Sequence, residues 1–522
     1  MSLDAVIIGG GHNGLVCAYY LAAAGRKVRV LECRSVVGGA AVTEEFHPGF
    51  RNSVASYTVS LLNPKIIKDM QLHDFGLEIR ERRVNNFWPH PSDDFLAFPV
   101  GYEALETEIA RFSEHDAKVL DRYFRDIEMV ADLVRSQLLE TPPNAGGGLR
   151  DLWQAIKLGN RFRKLSIEDE RTVMDIFTKS VREFLDLYFE NEFVKGAFAF
   201  DGVVGNYADS ETPGTAYVLM HHAFGEVNGK KGVWGHAVGG MGAITQAMAK
   251  SAKAKGAEIS TDAAVARILT ENGRAVGVEL EDGEKIFAKK IVSNLNPSLL
   301  FGEMVAEEDM PEDFSRRIKR YKNGSGTFRM NVALDKLPEF KCLSQERATD
   351  DHLTGGIIIA PTMNYMDRAL RDAKDYGWSR EPIVEMLIPS TLDNSLAPEG
   401  QHVASLFCQQ FKPDHDWAKD RMNAAATIID TVEKYAPGFR KSILGMQILS
   451  PLDLEEKFGL VGGDIMHGQL SLDQMFSARP MLGHGNYRTP IEGLYMCGSG
   501  THPGGGVTGA PGHNAAHEIL RD

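Results

Sequence analysis

The sequence predicts an α/β protein with a discontinuous Rossmann-type domain and a second α+β domain. Two observations near the chain ends support this prediction. An apolar run at residues 5–8 leads directly into a glycine-rich turn, and a second glycine-rich stretch follows an apolar segment at residues 493–512. Two long insertions, which supply the second domain, separate the dinucleotide-binding pieces. We therefore expect the two ends of the chain to meet in one domain.

The N-terminal motif has the residues and spacing of a dinucleotide-binding β–α–β unit. Gly9 allows a tight turn after the strand, Gly11 lets the backbone approach a pyrophosphate, and Gly14 permits close packing of helix on strand. The N-terminus of that helix offers free N–H groups and the positive end of its dipole. Glu32 ends a second apolar run, where it can accept hydrogen bonds from a ribose diol.

Two further features indicate which class of dinucleotide-binding protein this is. They are a glycine pair after Glu32 and the glycine-rich C-terminal stretch. Gly38 and Gly39 follow Glu32 too closely for a nicotinamide dehydrogenase, and residues 498–506 read Gly-Ser-Gly-Thr-His-Pro-Gly-Gly-Gly. With these motifs the chain resembles the FAD-dependent oxidoreductases of the amine oxidase and phytoene desaturase/carotenoid ketolase superfamily, in which such a stretch wraps the flavin. The resemblance implies FAD as cofactor and an amine oxidase/phytoene desaturase-like fold.

The resemblance also implies which residues hold FAD. Val265 matches a valine whose backbone contacts the adenine ring. Ser293 and Asn294 lie where the chain comes back to the edge of the cofactor. A helix expected at residues 511–521 begins beside the flavin, where its dipole stabilises negative charge. The cofactor-binding residues expected on this basis are Gly9, Gly11, Asn13, Gly14, Glu32, Cys33, Arg34, Gly39, Ala40, Ala41, Val265, Ser293, Asn294, Gly498, Ser499, Val507, Thr508, Gly509 and Ala510.

Within the superfamily, residues 467–490 look like the branch that contains pyridine nucleotide-disulphide oxidoreductase domain-containing protein 2 and its bacterial relatives. The match covers nearly the whole chain and is most specific at residues 5–43, 239–297 and 465–520. One position departs from the pattern, because many amine oxidase relatives carry an acidic residue where this chain has Ser499. A serine hydroxyl also binds ribityl oxygens, but the bond is weaker without charge assistance.

His502 is the candidate catalytic base, because the resemblance places it in the glycine loop beside the flavin. An imidazole there is suited to accept the second proton of a dehydrogenation. The alternative is that His502 only shapes the loop before Pro503. His467 is a candidate for the substrate channel, with a turn residue as its alternative. His221 and His222 are expected to be structural.

Composition excludes several other classes of protein. The 522 residues carry a formal net charge of −14, which argues against nucleic acid as a partner. The five cysteines include no C-x-x-C or C-x₄-C pair, so neither a thiol–disulfide relay nor a metal site is expected. With no stretch of roughly 18 apolar residues and no leader before the first strand, the sequence predicts a cytoplasmic protein. The oligomeric state is left open.

We expect two domains that are each assembled from separate parts of the chain. The FAD-binding domain takes residues 1–70, 225–297 and 475–522, and the substrate-binding domain takes residues 71–224 and 298–474. No second strand–G-x-G-x-x-G–helix unit is found, so no NAD(P)H domain is expected.

The two insertions have different patterns. In the first, which is mostly helical, apolar residues repeat at three and four positions over residues 105–138, and a break follows at residues 141–148. The second contains strands and one long helix. These are expected at residues 327–334, 356–360, 383–388 and 403–411, with the helix at 416–435. Helices over a mainly antiparallel sheet would form the wall of an apolar substrate tunnel.

The function expected from the resemblance is a phytoene dehydrogenase-like, FAD-dependent oxidoreductase. It would transfer a hydride between the flavin and a C–C bond of a long apolar substrate that is polyene-like, as a carotenoid is, or lipid-like. Two alternatives stay open. One is an amine oxidase, and the other is a non-enzymatic lipid or protein escort on the same fold, as in the Rab GDP-dissociation inhibitors.

A locally basic segment at residues 151–165 is a candidate for peripheral membrane contact. Apolar side chains lie on one side of the expected helix and basic side chains lie elsewhere. They are Leu152, Trp153 and Ile156, and Lys157, Arg161 and Lys164. Such a helix can lie in a bilayer interface. The alternative, a surface helix packed on its own domain, is favoured by Gly159 and Asn160, which weaken the helix.

Overall fold

The computed structural model describes residues 3–144, 146–343 and 350–522. Ala145, in the break expected at residues 141–148, lies outside the described residues. The chain begins with β1 (Leu3–Ile8), α1 (His12–Ala23), β2 (Val28–Leu31), β3 (Thr43–His47), β4 (Phe50–Ser53) and α2 (Pro64–Asp69). The first insertion contains β5 (Ile79–Glu81), β6 (Val84–Pro89), β7 (Phe95–Pro99), α3 (Tyr102–Ala110), α4 (Glu114–Arg135), α5 (Leu149–Phe162), α6 (Ile167–Thr178), α7 (Val181–Leu185), α8 (Glu192–Val203) and α9 (Thr215–Ala223).

The chain then returns to the first domain through β8 (Glu226–Val227), β9 (Lys230–Lys231), β10 (Gly235–Ala237), α10 (Met241–Ala254), β11 (Glu258–Ser260), β12 (Val265–Glu271), β13 (Arg274–Leu280) and β14 (Lys285–Ser293). The second insertion contains α11 (Pro297–Leu299), α12 (Glu312–Ile318), β15 (Phe328–Leu334), β16 (Gly356–Ile359), α13 (Met363–Tyr376), β17 (Trp378–Leu387), β18 (His402–Phe411), α14 (Trp417–Tyr435), α15 (Phe439–Ser442), β19 (Ile443–Leu449) and α16 (Pro451–Phe458). The last two elements are β20 (Leu494–Met496) and α17 (Ala510–Ile519).

The first sheet has the Rossmann-type arrangement that the sequence predicts. Its parallel strands lie in the order β11, β2, β1, β14 and β20. Strand β14 also continues into an antiparallel meander with β13 and β12. Helices α1, α10 and α17 share one apolar cluster with these strands. Every strand of the sheet lies within the three ranges expected for the FAD-binding domain.

The second sheet separates two apolar cores. Its seven strands lie in the order β19, β15, β18, β17, β16, β6 and β7, and within the described part of this sheet only β16 and β6 pair in parallel. Side chains alternate between the two faces of a strand. In β18, Leu406 belongs to the cluster with α14, whereas Phe407 belongs to the cluster with α4, α8 and α9. The second face looks toward the flavin domain.

Most elements expected in the second insertion are present, but two parts of the sheet are additional. The four expected strands correspond to β15, β16, β17 and β18, and the long helix corresponds to α14. The first insertion is mostly helical, as expected, but its start also holds three strands that were not expected: β6 and β7 complete the sheet, and β5 pairs with β10. Strand β19 was also not expected. β6 and β7 pair with each other locally, but β6 joins the sheet through β16 and β19 joins it through β15, and these partners are distant in sequence.

None of the described helices is long and apolar enough to cross a lipid bilayer.

Close packing of α17 on α1 makes Gly512 a sensitive position. A Cβ at Gly512 would lie 2.1 Å from the backbone oxygen of Asn13. We expect Gly512→Ala to lower the free energy of unfolding by about 1–3 kcal/mol through overpacking. Urea unfolding of the FAD-loaded protein measures this loss. The matched control is Gly159→Ala in α5, where a Cβ meets nothing within 4 Å, and unfolding should occur at the same or a higher urea concentration.

Candidate active site

The glycine turn after β1 is closed by Asn294, the residue that follows β14. The Asn294 Nδ2 group donates to the Gly9 carbonyl at 3.2 Å. Gly9 has φ of +92°, and a Cβ at Gly14 would lie 2.3 Å from the Gly9 oxygen. A Cβ at Gly11 would lie 2.8 Å from Asn294 Nδ2. The turn therefore requires glycine, and the N-terminus of α1 receives no capping side chain.

Glu32 is a buried carboxylate hydrogen-bonded to the backbone of the glycine turn and of Arg34. Its Oε2 accepts from the Gly10 N–H at 2.8 Å, and its Oε1 accepts from the Arg34 N–H at 3.0 Å. The backbone carbonyl of Glu32 accepts from the Ala263 N–H at 2.9 Å. This bond brings the segment before Val265 next to the acid, as expected for a site that holds an adenosine. Cys33 Sγ also lies 3.4 Å from Glu32 Oε1.

The C-terminal glycine loop meets the N-terminal motif directly. The Asn13 Nδ2 group donates to Ser499 Oγ at 3.1 Å. A Cβ at Gly498 would lie 2.7 Å from the Asn294 backbone oxygen. The buried Arg479 guanidinium donates to the Ser499 carbonyl at 2.8 Å and to the Met466 carbonyl at 2.7 Å. Arg479 thus fixes the loop against residues 466–474 through backbone contacts.

Other predicted cofactor residues occupy the same region. The Gly39 backbone packs on Gly11, since a Cβ at Gly39 would lie 3.3 Å from the Gly11 Cα. Gly509, with φ of +73°, precedes α17, and Thr508 Oγ1 accepts from the Ala510 N–H at 3.1 Å. Ser293 Oγ instead accepts from the Leu295 N–H, so its hydroxyl serves the turn after β14.

Polar atoms without protein partners test whether this region suits FAD. His12 Nε2, Asn13 Oδ1 and Arg34 Nη1 are buried and have no hydrogen-bond partner among the residues that the structure describes. Buried polar groups are nearly always hydrogen-bonded. These three atoms belong to the glycine turn and to the second residue after the ribose-binding acid, where a dinucleotide offers phosphate and ribose oxygens. The residues present therefore fit the cofactor.

A cavity of about 150 Å³ lies between the flavin segments and the second sheet; we call it the main cavity. Ala40, Ala41, Ser499 and Val507 line its flavin side. The remaining lining is mostly apolar but also includes polar groups. They belong to Tyr57, Arg82, Asn86, Asp201, His221, His222, Trp234, Glu385 and His467. Sequence reasoning missed Tyr57, Arg82, Asp201 and Glu385, because they come from four separate segments and form no motif.

The expectation that His502 is the catalytic base is not supported by its position. His502 is buried, its Nε2 lies 3.1 Å from the Gln137 carbonyl, and its ring packs against Phe476 at 5.6 Å between centroids. It lines a second, apolar cavity rather than the main cavity. Burial lowers the pKa of His502 to about 4, so the ring is neutral at neutral pH. Its alternative interpretation, a residue that shapes the loop, fits these contacts.

Other histidines occupy the main cavity. His467 lines the main cavity, as expected for a residue of a substrate channel. Among the described residues, its Nδ1 has no hydrogen-bond partner. His221 was expected to be structural, yet both of its ring nitrogens are buried without partners beside the cavity. Burial lowers the pKa of His221 to about 3 and that of His467 to about 4. Both rings are therefore neutral hydrogen-bonding groups at neutral pH. His222 Nδ1 contacts the Val218 carbonyl at 2.9 Å.

The fold and the site together define a two-domain flavoprotein oxidoreductase. The defining features are a Rossmann-type sheet, a glycine turn with its buried acid, and a second sheet across a shared cavity. Comparisons with known proteins agree. Residues 14–329 match the family model described as flavin containing amine oxidoreductase. The chain therefore belongs to the flavin-containing amine oxidoreductase family, and its cofactor is FAD.

Three curated relatives align along nearly all of the chain. Pyridine nucleotide-disulfide oxidoreductase domain-containing protein 2 of Rattus norvegicus is 39% identical over 545 residues, which cover 99% of this chain and 93% of the relative. One of the subunits of limonene dehydrogenase from Castellaniella defragrans is 26% identical, covering 99% and 94%. Prolycopene isomerase of Daucus carota is 26% identical, covering 99% and 80%. The branch expected from residues 467–490 is confirmed.

Solved structures support the fold. Putrescine oxidase bound to putrescine superposes with a TM-score of 0.62 at 15% identity, covering 100% of both chains. An oxidoreductase from Methanosarcina mazei gives a TM-score of 0.59 at 17% identity, also covering 100% of both chains. The amine oxidase-like fold expected from the sequence is confirmed.

Glu32 is the residue whose loss should most directly weaken FAD binding. Glu32→Ala removes charged hydrogen bonds worth about 1.5–3 kcal/mol, or roughly ten- to a hundredfold in affinity. The variant should lose FAD on dilution while remaining folded, as followed by flavin fluorescence of the filtrate. Glu45→Ala, an exposed acid in β3, is the matched control and should retain FAD. Equal retention by Glu32→Ala and the parent protein would contradict the placement of this acid.

Proposed function

We propose that this flavoprotein transfers a hydride between FAD and a C–C bond of a long apolar, polyene- or lipid-like substrate. The observation that carries the proposal is an apolar cavity of about 310 Å³ next to the flavin loop; we call it the second cavity. Its lining includes Leu133, Leu158, Phe162, Phe177 and Phe476, with His502 at the flavin loop. An apolar cavity of this kind suits a hydrocarbon rather than a polar metabolite.

The names of two relatives support the same substrate class. Limonene is a hydrocarbon and prolycopene is a polyene, and the proteins named for them align with 99% of this chain at 26% identity. At that identity the likeness supports a class of substrate and not a particular molecule.

Bound FAD supplies hydride exchange, and the chain supplies position and electrostatics. Gly9, Gly11, Gly14 and Glu32 would hold the adenosine and pyrophosphate, and the loop that precedes α17 would hold the flavin ring. The N-terminus of α17 favours negative charge at that ring. The second sheet covers the main cavity and excludes water from the reacting carbon atoms.

An amine oxidase is the second candidate function. It is favoured by the family description and by the carboxyl groups of Asp201 and Glu385 in the main cavity, which would attract an ammonium group. The escort alternative has less support, because the chain belongs to a family of FAD oxidoreductases.

Anaerobic bleaching of the flavin separates these functions. We expect a carotenoid-type polyene or a cyclic monoterpene, delivered in detergent micelles, to reduce the bound FAD with saturation. Putrescine should reduce it slowly and without saturation, because it is a polar amine and not an apolar substrate. NADH should do the same, because the sequence contains no second nucleotide motif. The absorbance of oxidised flavin measures each reaction. Saturable bleaching by putrescine would establish the amine oxidase instead, and saturable bleaching by NADH would indicate a reductase.

Helix α5 gives the apolar substrate a proposed route from a membrane. None of its residues is buried, and Leu149 and Trp153 are 80% and 71% exposed. Leu158 and Phe162, on the same helix, line the second cavity. Its basic side chains are partly paired, since Lys157 and Arg161 lie 2.7 and 3.4 Å from Glu140. We propose that α5 lies at a bilayer surface, with its exposed apolar residues in the interface.

Liposome flotation tests this membrane contact. The FAD-loaded protein should float with anionic liposomes at low salt and be released as ionic strength rises, because basic side chains attract anionic head groups. Replacing Lys157, Arg161, Arg163 and Lys164 by Gln should abolish flotation with FAD still bound. The control replaces four exposed basic residues around α12, Arg316, Arg317, Lys319 and Arg320, by Gln and should still float. Failure of the parent to float would refute the contact.

A further inference from the structure

Asp201 is an isolated carboxyl group inside the main cavity. It lies near the end of α8, among the buried residues Phe200 and Val203. It lines the cavity together with Ala41 and Val507 of the flavin side. Within residues 3–144, 146–343 and 350–522, its carboxyl group has neither a hydrogen bond nor an ion pair. The partial exposure of Asp201 is therefore exposure to the cavity.

The neighbouring acid is already engaged. The Tyr57 hydroxyl donates to Glu385 Oε2 at 2.5 Å. Tyr57 also stacks on Phe407, with 5.4 Å between ring centroids, so its hydroxyl is held in place. Glu385 is buried and belongs to the floor of the cavity on β17. This carboxyl group therefore has a fixed donor, whereas Asp201 has none.

The neighbouring cations are engaged as well. The Arg82 guanidinium donates to Thr58 Oγ1 at 2.6 Å and to the Asn85 carbonyl at 3.3 Å. Arg329 donates to Ser405 Oγ at 2.7 Å. Neither guanidinium forms an ion pair with Asp201. The titratable and charged groups of the elements packed around Asp201 are Tyr57 after β4, Arg82 before β6, Tyr123 of α4, His221 and His222 of α9, Arg329 of β15, Glu385 of β17 and His467 before the turns at residues 472–478.

These surroundings set the protonation of the cavity. Burial raises the pKa of Asp201 to about 7. Burial lowers the pKa values of His221, His222 and His467, so these rings are neutral at neutral pH. Burial also raises the pKa of Glu385, although Arg82 opposes the shift. A group that changes protonation near the working pH and has an open face toward the reactants is suited to acid–base chemistry.

We propose that Asp201 is the proton-exchanging residue of the flavin cavity. This inference rests on the proposed function. In a dehydrogenation, one C–H bond breaks and its hydrogen leaves with both electrons as a hydride to the flavin. The electrons of the neighbouring C–H bond form the second bond between the carbons, and its proton passes to the Asp201 carboxylate. In saturation of a double bond, the Asp201 carboxylic acid returns that proton and the flavin returns the hydride.

Proton uptake on reduction of the FAD-loaded protein tests the inference without a substrate. The flavin is reduced photochemically under anaerobic conditions in weakly buffered solution just above pH 7, and an indicator dye measures protons taken up. Negative charge gained at the flavin raises the affinity of Asp201 for a proton. The parent protein should therefore take up more protons per two electrons than Asp201→Asn, by up to the ionised fraction of Asp201, which is roughly one half at a pH close to its pKa of about 7.

Two further variants make the result specific. Asp201→Glu keeps a carboxyl group and should keep the additional uptake. Asp121→Asn removes an exposed carboxylate of α4 and should match the parent. Equal uptake by the parent and Asp201→Asn, with FAD bound and reducible in both, would overturn the assignment.

Infrared difference spectroscopy gives a readout that does not require reduction. The oxidised parent should show a carboxylic acid band that disappears as pH rises through about 7 and is absent from Asp201→Asn. A band that persists in Asp201→Asn would assign the proton to another group and overturn the inference. Failure of the proposed function would appear separately, as the absence of bleaching by apolar substrates in a parent protein whose Asp201 titrates normally.

Discussion

The structure depends on the close approach of three backbone segments at the carboxyl ends of β1, β14 and β20. Gly14 allows α1 to pack against the Gly9 carbonyl, and Asn294 bonds to that same carbonyl. Gly498 packs on the Asn294 backbone. Because neither Gly14 nor Gly498 has room for a Cβ, the cofactor site exists only when segments almost 500 residues apart along the chain are assembled.

The second sheet gives the main cavity its chemical character through strand register. Arg329 of β15 and Glu385 of β17 both lie opposite Phe407 of β18, so all three side chains share one face. The Arg329 guanidinium lies 4.4 Å from the centre of the Tyr57 ring, and Tyr57 donates to Glu385. The opposite face of the same strands is packed against α14. One sheet thus supplies both an apolar core and a polar cavity floor.

The two cavities differ in their lining. The second cavity is apolar and borders α5, whereas the main cavity holds ionisable groups beside the flavin segments. His502 and Phe476 line the second cavity. The contrast follows from burial, because desolvation is tolerable for a hydrocarbon and changes the protonation of a carboxyl group.

The sequence alone determined the fold class and the cofactor, because the spacing of Gly9, Gly14 and Glu32 is local and each glycine has a steric reason. It also determined the four main strands of the second sheet from their apolar runs. Only the tertiary structure decided that β6 and β7 join that sheet and that Asp201 faces the flavin segments, because such contacts join residues far apart in the chain. The same is true of His502, whose neighbours in sequence belong to the flavin loop but whose side chain packs against Phe476 in another cavity.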